Sequence, residues 1–221
     1  MKYTGILFDF NGTLIEDEEC QVRAWDRIAY ENFGIHVTAK DMAEKYSGKP
    51  NVLTIMTMSD GTYSPEQAEQ LSQHKEEVYR EEVLNMEGGA HLRKGAVEFF
   101  EVLKKNNIPF TIVSSSIKEN MDFFVRTFHL DTWIDPKNLV YDNGTYKDKV
   151  QMYLDAADKL ALKQPYLIIE DSFSGLKNAL KTGADVIAIR IPALDDKYPQ
   201  YPGIKDVIED FTDIASYLQL K

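Results

Sequence analysis

The chain has 221 residues, 43% of them hydrophobic, a composition that supports a sizeable folded core and excludes disorder. Its 25 Lys plus Arg against 36 Asp plus Glu give a formal net charge of −11, which disfavours nucleic acid as a partner but leaves room for a local basic site for one small phosphate. The single cysteine, Cys20, excludes an intrachain disulfide; no signal-peptide pattern and no apolar run near the ~20 residues of a membrane span are present, so a cytoplasmic protein with no membrane partner is expected.

Residues 3–9 read as a short buried strand that runs directly into Asp9. Residues 16–87 then carry little strand pattern. Val22, Trp25, Ile28, Ala29 and Phe33 recur at helical spacing, with Gly34 as the expected C-cap. The acidic run Glu16-Asp17-Glu18-Glu19 is expected at the start of that helix, where the dipole favours negative charge, rather than as a metal site. Met42, Ala43 and Tyr46 suggest a short second helix, and Tyr46–Asn51 reads as a loop. Ser64-Pro65-Glu66 reads as an N-cap with Pro in the first turn, opening a helix to about Met86, which Gly88-Gly89 breaks.

From residue 90 strands and helices alternate. Helices are expected over Ala96–Lys105, Met121–Phe128, Val150–Leu160 and Leu176–Lys181. Strands are expected at Phe110–Val113, Leu139–Tyr141, Tyr166–Ile169 and Val186–Ile189. The alternation predicts βαβ units and an α/β fold, a Rossmann-like parallel-sheet core over 1–15 and 90–221, with an inserted helical cap subdomain over 16–89. His36, His74, His91 and His129 share no ligand spacing. Trp25, Trp133 and the Phe99-Phe100 and Phe123-Phe124 pairs read as packing, and Cys20 as inert.

A parallel sheet gathers its strand C-termini on one edge. Asp9, Ser114 and the Glu170-Asp171 pair all fall at such ends, so three carboxylates and a hydroxyl converge. Carboxylates at close range repel, and oxygen-only ligands favour Mg²⁺ over Zn²⁺. A carboxylate beside Mg²⁺ stays ionised and can attack phosphorus. The Gly12 and Thr13 amides and the Ser114 hydroxyl, with Ser115 beside it, are suitable phosphate donors. Lys147 or Lys149 would neutralise charge on the transferring group.

Asp9-Phe10-Asn11-Gly12-Thr13-Leu14 resembles motif I of the haloacid dehalogenase-like hydrolases, with Asn11 where most family phosphatases carry the acid/base Asp. Ser114 falls where motif II has its hydroxyl. Tyr146-Lys147 with Tyr153-Leu154 and Ala156-Ala157 is similar to motif III, although Asp148 and Val150 replace its prolines; that register selects Lys147. Glu170-Asp171-Ser172-Phe173-Ser174-Gly175 is similar to motif IV, and Leu92-Arg93-Lys94-Gly95 resembles the segment re-entering the core after a helical cap. The resemblance is to the helical-cap subfamily of phosphoglycolate phosphatases and β-phosphoglucomutases. It implies a nucleophile at Asp9, an aspartyl-phosphate intermediate, and Mg²⁺ held by Asp9, the Asn11 main-chain carbonyl and Asp171, with Glu170 close by. It also implies that the cap loop selects the substrate, with Lys49 meeting a second anionic group, and that closing the cap excludes water.

The expected activity is thus Mg²⁺-dependent hydrolysis of a small phosphorylated metabolite. Two alternatives stay open. A phosphomutase needs a proton shuttle that Asn11 does not supply and a phosphate-clamping arginine that the loop lacks in the register drawn through Gly48. A non-catalytic phosphate-binding protein would fit Asn11 but not the retained Asp9, Ser114, Lys147 and Glu170-Asp171.

Overall fold

The computed structural model describes residues 2–46 and 49–220. Ser47 and Gly48, on which part of the loop reading rests, lie outside them. Strand β1 (Ile6–Phe8) is followed by helices α1 (Glu18–Phe33), α2 (Ala39–Asp41), α3 (Asn51–Met58) and α4 (Pro65–Leu84). Then come α5 (Ala96–Lys105), β2 (Phe110–Ser114), α6 (Lys118–Phe128), β3 (Val140–Tyr141), α7 (Lys149–Lys159), β4 (Leu167–Glu170), α8 (Phe173–Lys181), β5 (Asp185–Ile189), β6 (Ile204–Ile208) and α9 (Ile214–Tyr217). The chain divides into two compact units, Met1–Glu16 with His91–Lys221, and Asp17–Ala90. No helix among the described residues is long and apolar enough to cross a membrane.

The first unit is a six-stranded sheet in the order β3-β2-β1-β4-β5-β6, every pairing parallel. β1 lies inside it, pairing Ile6 with Phe110 of β2 and with Leu167 of β4. Helices cover both faces of such a sheet, so its inner strands read as unbroken apolar runs. Ile6, Leu7 and Phe8 are accordingly fully buried. Successive side chains enter opposite layers. Phe8 meets the rings of Phe99, Phe100, Phe110 and Phe211 at 5.4–6.0 Å, whereas Leu7 packs with Tyr153, Ile168 and Leu176. Phe10 stacks on Phe124 of α6 at 4.1 Å. Each buried ring of this kind is worth about 1.5–3 kcal/mol. The order reverses direction around β1, the position where open α/β sheets bind ligands beyond their strand C-termini.

In the second unit α1 packs on α4, and Ala24, Trp25 and Ile28 of α1 and Ala68, Leu71 and Val78 of α4 are all buried. Gly34 ends α1 in the left-handed conformation at φ 67°. Ser64 and Gln67 form a reciprocal capping box at the start of α4, with Pro65 in its first turn. Glu18 and Glu19 occupy the first turn of α1, while Asp17 is buried and accepts a hydrogen bond from Tyr79 Oη at 2.6 Å.

Several elements depart from expectation for local reasons. The loop expected over Tyr46–Asn51 gives way at Asn51, which opens α3. Its Val52, Thr54, Ile55 and Thr57 are β-branched and weak helix formers, yet Thr54, Ile55 and Met58 are buried. The short second helix is a three-residue α-turn capped by Thr38 and Asp41 that continues as a π-helical turn over Met42–Tyr46. β6 was not expected because Lys205 and Asp206 interrupt its apolar residues. It is paired on β5, with a register shift between Val186 and Ile187. α6 and α8 begin three residues earlier than expected: α6 opens on the polar Lys118-Glu119-Asn120, and α8 opens on Phe173-Ser174-Gly175 behind its N-cap Ser172.

Candidate active site

The site is built on the strand ends. The Asp9 N–H donates to the Ile169 carbonyl at 2.9 Å, continuing the β1–β4 ladder one residue beyond the strand. The chain then turns sharply, with the N–H groups of Thr13, Leu14 and Ile15 all aimed at the Phe10 carbonyl. Gly12 sits in this turn at φ 75°, and a Cβ there would overlap the Asp171 carboxylate. Glycine is therefore required both by conformation and by space.

Arg93 holds the turn from below. Its Nε donates to the Thr13 carbonyl at 2.8 Å, its Nη2 to the Gly12 carbonyl at 2.7 Å, and its Nη1 to Glu16 at 2.5 Å. The sequence placed Arg93 only in a re-entry segment; nothing local signals that its fork reaches 80 residues back. The Thr13 hydroxyl donates to Asp171 Oδ1 at 3.0 Å and lies 3.4 Å from Asp9 Oδ2.

Asn11 is half-buried and faces the end of β2. Its Oδ1 accepts from Ser116 Oγ at 2.8 Å and Ser114 Oγ at 3.3 Å. The Ser116 N–H donates to Ser114 Oγ at 3.1 Å, which frees the Ser114 hydroxyl hydrogen for Asn11. Ser115, expected beside Ser114 as a phosphate donor, is exposed instead. The second hydroxyl at Asn11 is that of Ser116, two residues on from Ser114, as the i, i+2 alternation at a strand end would suggest.

One oxygen each of Asp9, Glu170 and Asp171 lie within 4.8 Å of one another. The cation among them is Lys149, with Nζ 2.5 Å from Asp9 Oδ1 and 2.7 Å from Glu170 Oε1. Lys147 does not take that place. It is exposed and precedes the helix, its N–H bonded to Gln151 Oε1 at 2.9 Å. Asp148 is the N-cap of α7, accepting from the Gln151 N–H at 3.1 Å, so Lys149 is the first helical residue and Lys147 lies outside. The absent prolines made the motif register ambiguous, but one sequence signal does select Lys149. It stands four residues before the fully buried Tyr153, on the same helix face, and its Nζ lies 5.6 Å from that ring.

Glu170 has no exposed surface. Ser172 Oγ donates to it at 3.2 Å, and a Cβ on Gly175 would overlap its carboxyl group, so α8 closes down on it. Burial first, then the Asp9 charge, push the Glu170 pKa up to about 7, with Lys149 opposing. Burial followed by the charges of Glu170 and Asp9 hold Asp171 well above the usual carboxylate range. For Lys149 burial acts downward, but Asp9 and Glu170 outweigh it and keep the ammonium protonated well beyond its ordinary pKa. Three carboxyl groups around one ammonium are an unbalanced set. All donors are oxygens, which suits a hard divalent ion such as Mg²⁺ held by Asp9, Glu170 and Asp171.

Lys49 belongs to the other unit. It is exposed, 5.8 Å from the Tyr46 ring centroid, and lines a cavity of about 360 Å³ with Gln21, Trp25, Met42 and Asn51.

Residues 3–183 match the haloacid dehalogenase-like hydrolase family. A family IA, variant 3 hydrolase from Entamoeba histolytica superposes with a TM-score of 0.86 at 31% identity, covering 95% of this chain and 94% of that one. CbbY from Rhodobacter sphaeroides, solved as a mutant with xylulose-(1,5)-bisphosphate, gives 0.77 at 19% identity over 96% of each chain, a likeness of fold. The chloroplastic 5-amino-6-(5-phospho-D-ribitylamino)uracil phosphatase of Arabidopsis thaliana is 25% identical over 99% of this chain, which spans 57% of that relative's length. With the parallel sheet, the helical insert after β1 and the carboxylates at the strand ends, these matches show that the chain belongs to the haloacid dehalogenase-like hydrolases, as an enzyme of their phosphatase type with a helical cap.

Proposed function

We propose that the chain is a Mg²⁺-dependent phosphatase that hydrolyses a small phosphorylated metabolite through an aspartyl-phosphate on Asp9. The observation that carries this reading is the seating of Asp9, a nearly buried carboxylate with Lys149 at 2.5 Å and two further carboxyl groups alongside. A carboxylate next to fixed positive charge is a competent nucleophile for phosphorus.

In this reading one Asp9 oxygen attacks the phosphorus in line with the leaving group. The Ser114 hydroxyl, which donates to Asn11 Oδ1 here, would turn to bind a phosphoryl oxygen, and Lys149 neutralises charge that builds on the group; the Thr13 N–H is held by the Phe10 carbonyl and takes no part. Mg²⁺, when bound by Asp9, Asp171 and the Asn11 main-chain carbonyl with Glu170 beside it, supplies further positive charge at the phosphoryl group. Water then attacks the phospho-enzyme and restores the Asp9 carboxylate. Arg93 acts as a positioning residue by holding the carbonyls of Gly12 and Thr13. The helical unit is proposed as the substrate-selecting cap, with Lys49 the cation for a second anionic group.

The mutase alternative is disfavoured because Asn11 has no proton to shuttle between sugar hydroxyls. The test is hydrolysis of nitrophenyl phosphate with and without Mg²⁺. Turnover should require Mg²⁺ and fall on the order of 10⁴-fold or more in Asp9→Asn. Metal-independent turnover, or an active Asp9→Asn enzyme, contradicts the reading.

A further inference from the structure

We propose that Tyr153 is a positioning residue for Lys149: its buried hydroxyl is the acceptor that takes over from Asp9 once Asp9 carries the phosphoryl group. The inference rests on the reading of Asp9 as nucleophile and adds a residue to that site.

Tyr153 has no exposed surface, and its ring lies in an apolar cluster with Leu7, Ile168 and Leu176. Its hydroxyl nevertheless has no hydrogen-bond partner. A buried hydroxyl without a partner is costly, and phenylalanine would fill the same space without that cost. Such a group calls for a partner that the resting site does not supply. The charged groups close enough to act on the hydroxyl are Lys149, Glu170 and Asp9. The carboxyl oxygens are already engaged. Lys149 holds Asp9 Oδ1 and Glu170 Oε1, Ser172 donates to Glu170 Oε2, and Thr13 Oγ faces Asp9 Oδ2. Lys149 has a hydrogen to spare. An ammonium carries three; two go to Asp9 at 2.5 Å and Glu170 at 2.7 Å, and the third has no acceptor among the described residues. Lys149 stands four residues before Tyr153 on the same face of α7, with Nζ 5.6 Å from the ring centroid. A spare donor and a spare acceptor are thus neighbours.

At rest the two short bonds hold the ammonium toward the carboxylates. When an Asp9 oxygen bonds to phosphorus, the bond to the leaving group breaks and its electron pair departs with that group. Asp9 is then an acyl group without its negative charge, and a hydrogen bond to it is about half as strong. Lys149 stays on Glu170, gives one hydrogen to the phosphoryl group and one to Tyr153 Oη. The hydroxyl so keeps the ammonium at the phosphorus in the state where Asp9 no longer does.

Tyr166 supplies the control. Its hydroxyl is also buried without a partner, but Tyr166 precedes β4 and Glu170 ends it, ~13 Å apart along the strand. The experiment uses the full chain with Mg²⁺ and compares Tyr153→Phe with Tyr166→Phe. Beryllium fluoride, which bonds to a carboxylate as a mimic of the acyl phosphate, is the probe of the phosphorylated state. Tyr153→Phe should bind it about 10- to 10²-fold less tightly, the worth of a hydrogen bond to a charged group. It should lose about as much kcat/KM on nitrophenyl phosphate, the loss lying in kcat with KM unchanged. In ligand-free denaturant unfolding its midpoint should equal or exceed that of wild type. Tyr166→Phe should stay within about threefold of wild type in activity and in beryllium fluoride affinity. Wild-type affinity or wild-type kcat/KM in Tyr153→Phe overturns the inference, as does an equal loss in Tyr166→Phe. So does a lower unfolding midpoint for Tyr153→Phe, which would show that the hydroxyl already has a partner at rest, water included. In each of these cases Asp9-dependent turnover by wild type leaves the phosphatase reading standing. Wild type that neither binds beryllium fluoride nor shows Asp9-dependent turnover overturns both.

Discussion

Each of the two units buries a cluster of charged groups, and the clusters differ in how they are balanced. In the helical unit Lys75, 2% exposed, donates to Glu76 Oε1 at 3.0 Å and to Gln21 Oε1 at 2.7 Å, while Asn51 donates to the same Glu76 oxygen at 2.7 Å. Asp17 accepts from Tyr79 and Gln21. Acid is matched by base or by neutral donors, as burial demands. At the sheet edge Asp9, Glu170 and Asp171 share one ammonium, and both Glu170 and Asp171 are pushed above the ordinary carboxylate range. The first cluster is complete without a ligand and reads as a structural network; the second gains most from an added cation and an anionic substrate. Charge that the fold leaves unbalanced is a pointer to function that burial alone does not give.

The largest expected effect separates two lysines. Lys149→Ala should lower kcat/KM about 10²–10³-fold, the range for removing one stabilising donor at a transition state, whereas Lys147→Ala should stay within about threefold in the same assay. Equal losses would return the role to Lys147.

The next contrast concerns the metal and pH. Glu170 has a folded-state pKa of about 7 against an ordinary 4.5. The native state then holds more protons than the unfolded chain between those values, so metal-free stability should fall as pH rises across that window. Glu170→Gln should flatten that part of the curve. Added Mg²⁺ should raise the melting temperature of wild type by mass action, about 2.7 kcal/mol at a hundredfold excess over Kd, and not that of Asp171→Ala. An unchanged wild-type melting temperature at millimolar Mg²⁺ would remove the metal site.

The smallest effect belongs to the balanced cluster. Tyr79→Phe takes from buried Asp17 a hydrogen bond of 2.6 Å and should cost about 1–3 kcal/mol in denaturant unfolding. The loss should be the same with and without Mg²⁺. A Mg²⁺-dependent loss would contradict the division between the clusters.

Much of the core was legible because its signals are local and repetitive. The βαβ alternation, the apolar run ending in Asp9, and the Ser64-Pro65 start of α4 each report their own surroundings. So did the carboxylates, since a parallel sheet necessarily gathers Asp9, Ser114 and Glu170 at one edge. What escaped depends on partners distant in sequence. β6 is held by pairing to β5 despite Lys205 and Asp206, and α3 is helical through burial against the propensity of its β-branched residues. Arg93 reaches Gly12 and Thr13 across 80 residues. Lys149 was legible in principle from its spacing to Tyr153, but the motif register competed with it. Ser116 and not Ser115 brings the second hydroxyl to Asn11, as strand alternation favours for the residue two beyond Ser114.

The central claim is a phosphoryl group carried on Asp9. It is tested most directly by reacting the full chain with acetyl phosphate and Mg²⁺, quenching in acid, and locating the added phosphoryl mass by peptide mass spectrometry. One phosphoryl group per chain on the peptide containing Asp9, absent without Mg²⁺ and absent from Asp9→Asn, is the predicted result. Turnover with no phosphoryl adduct at any quench time, or an adduct on a different residue, would contradict the account.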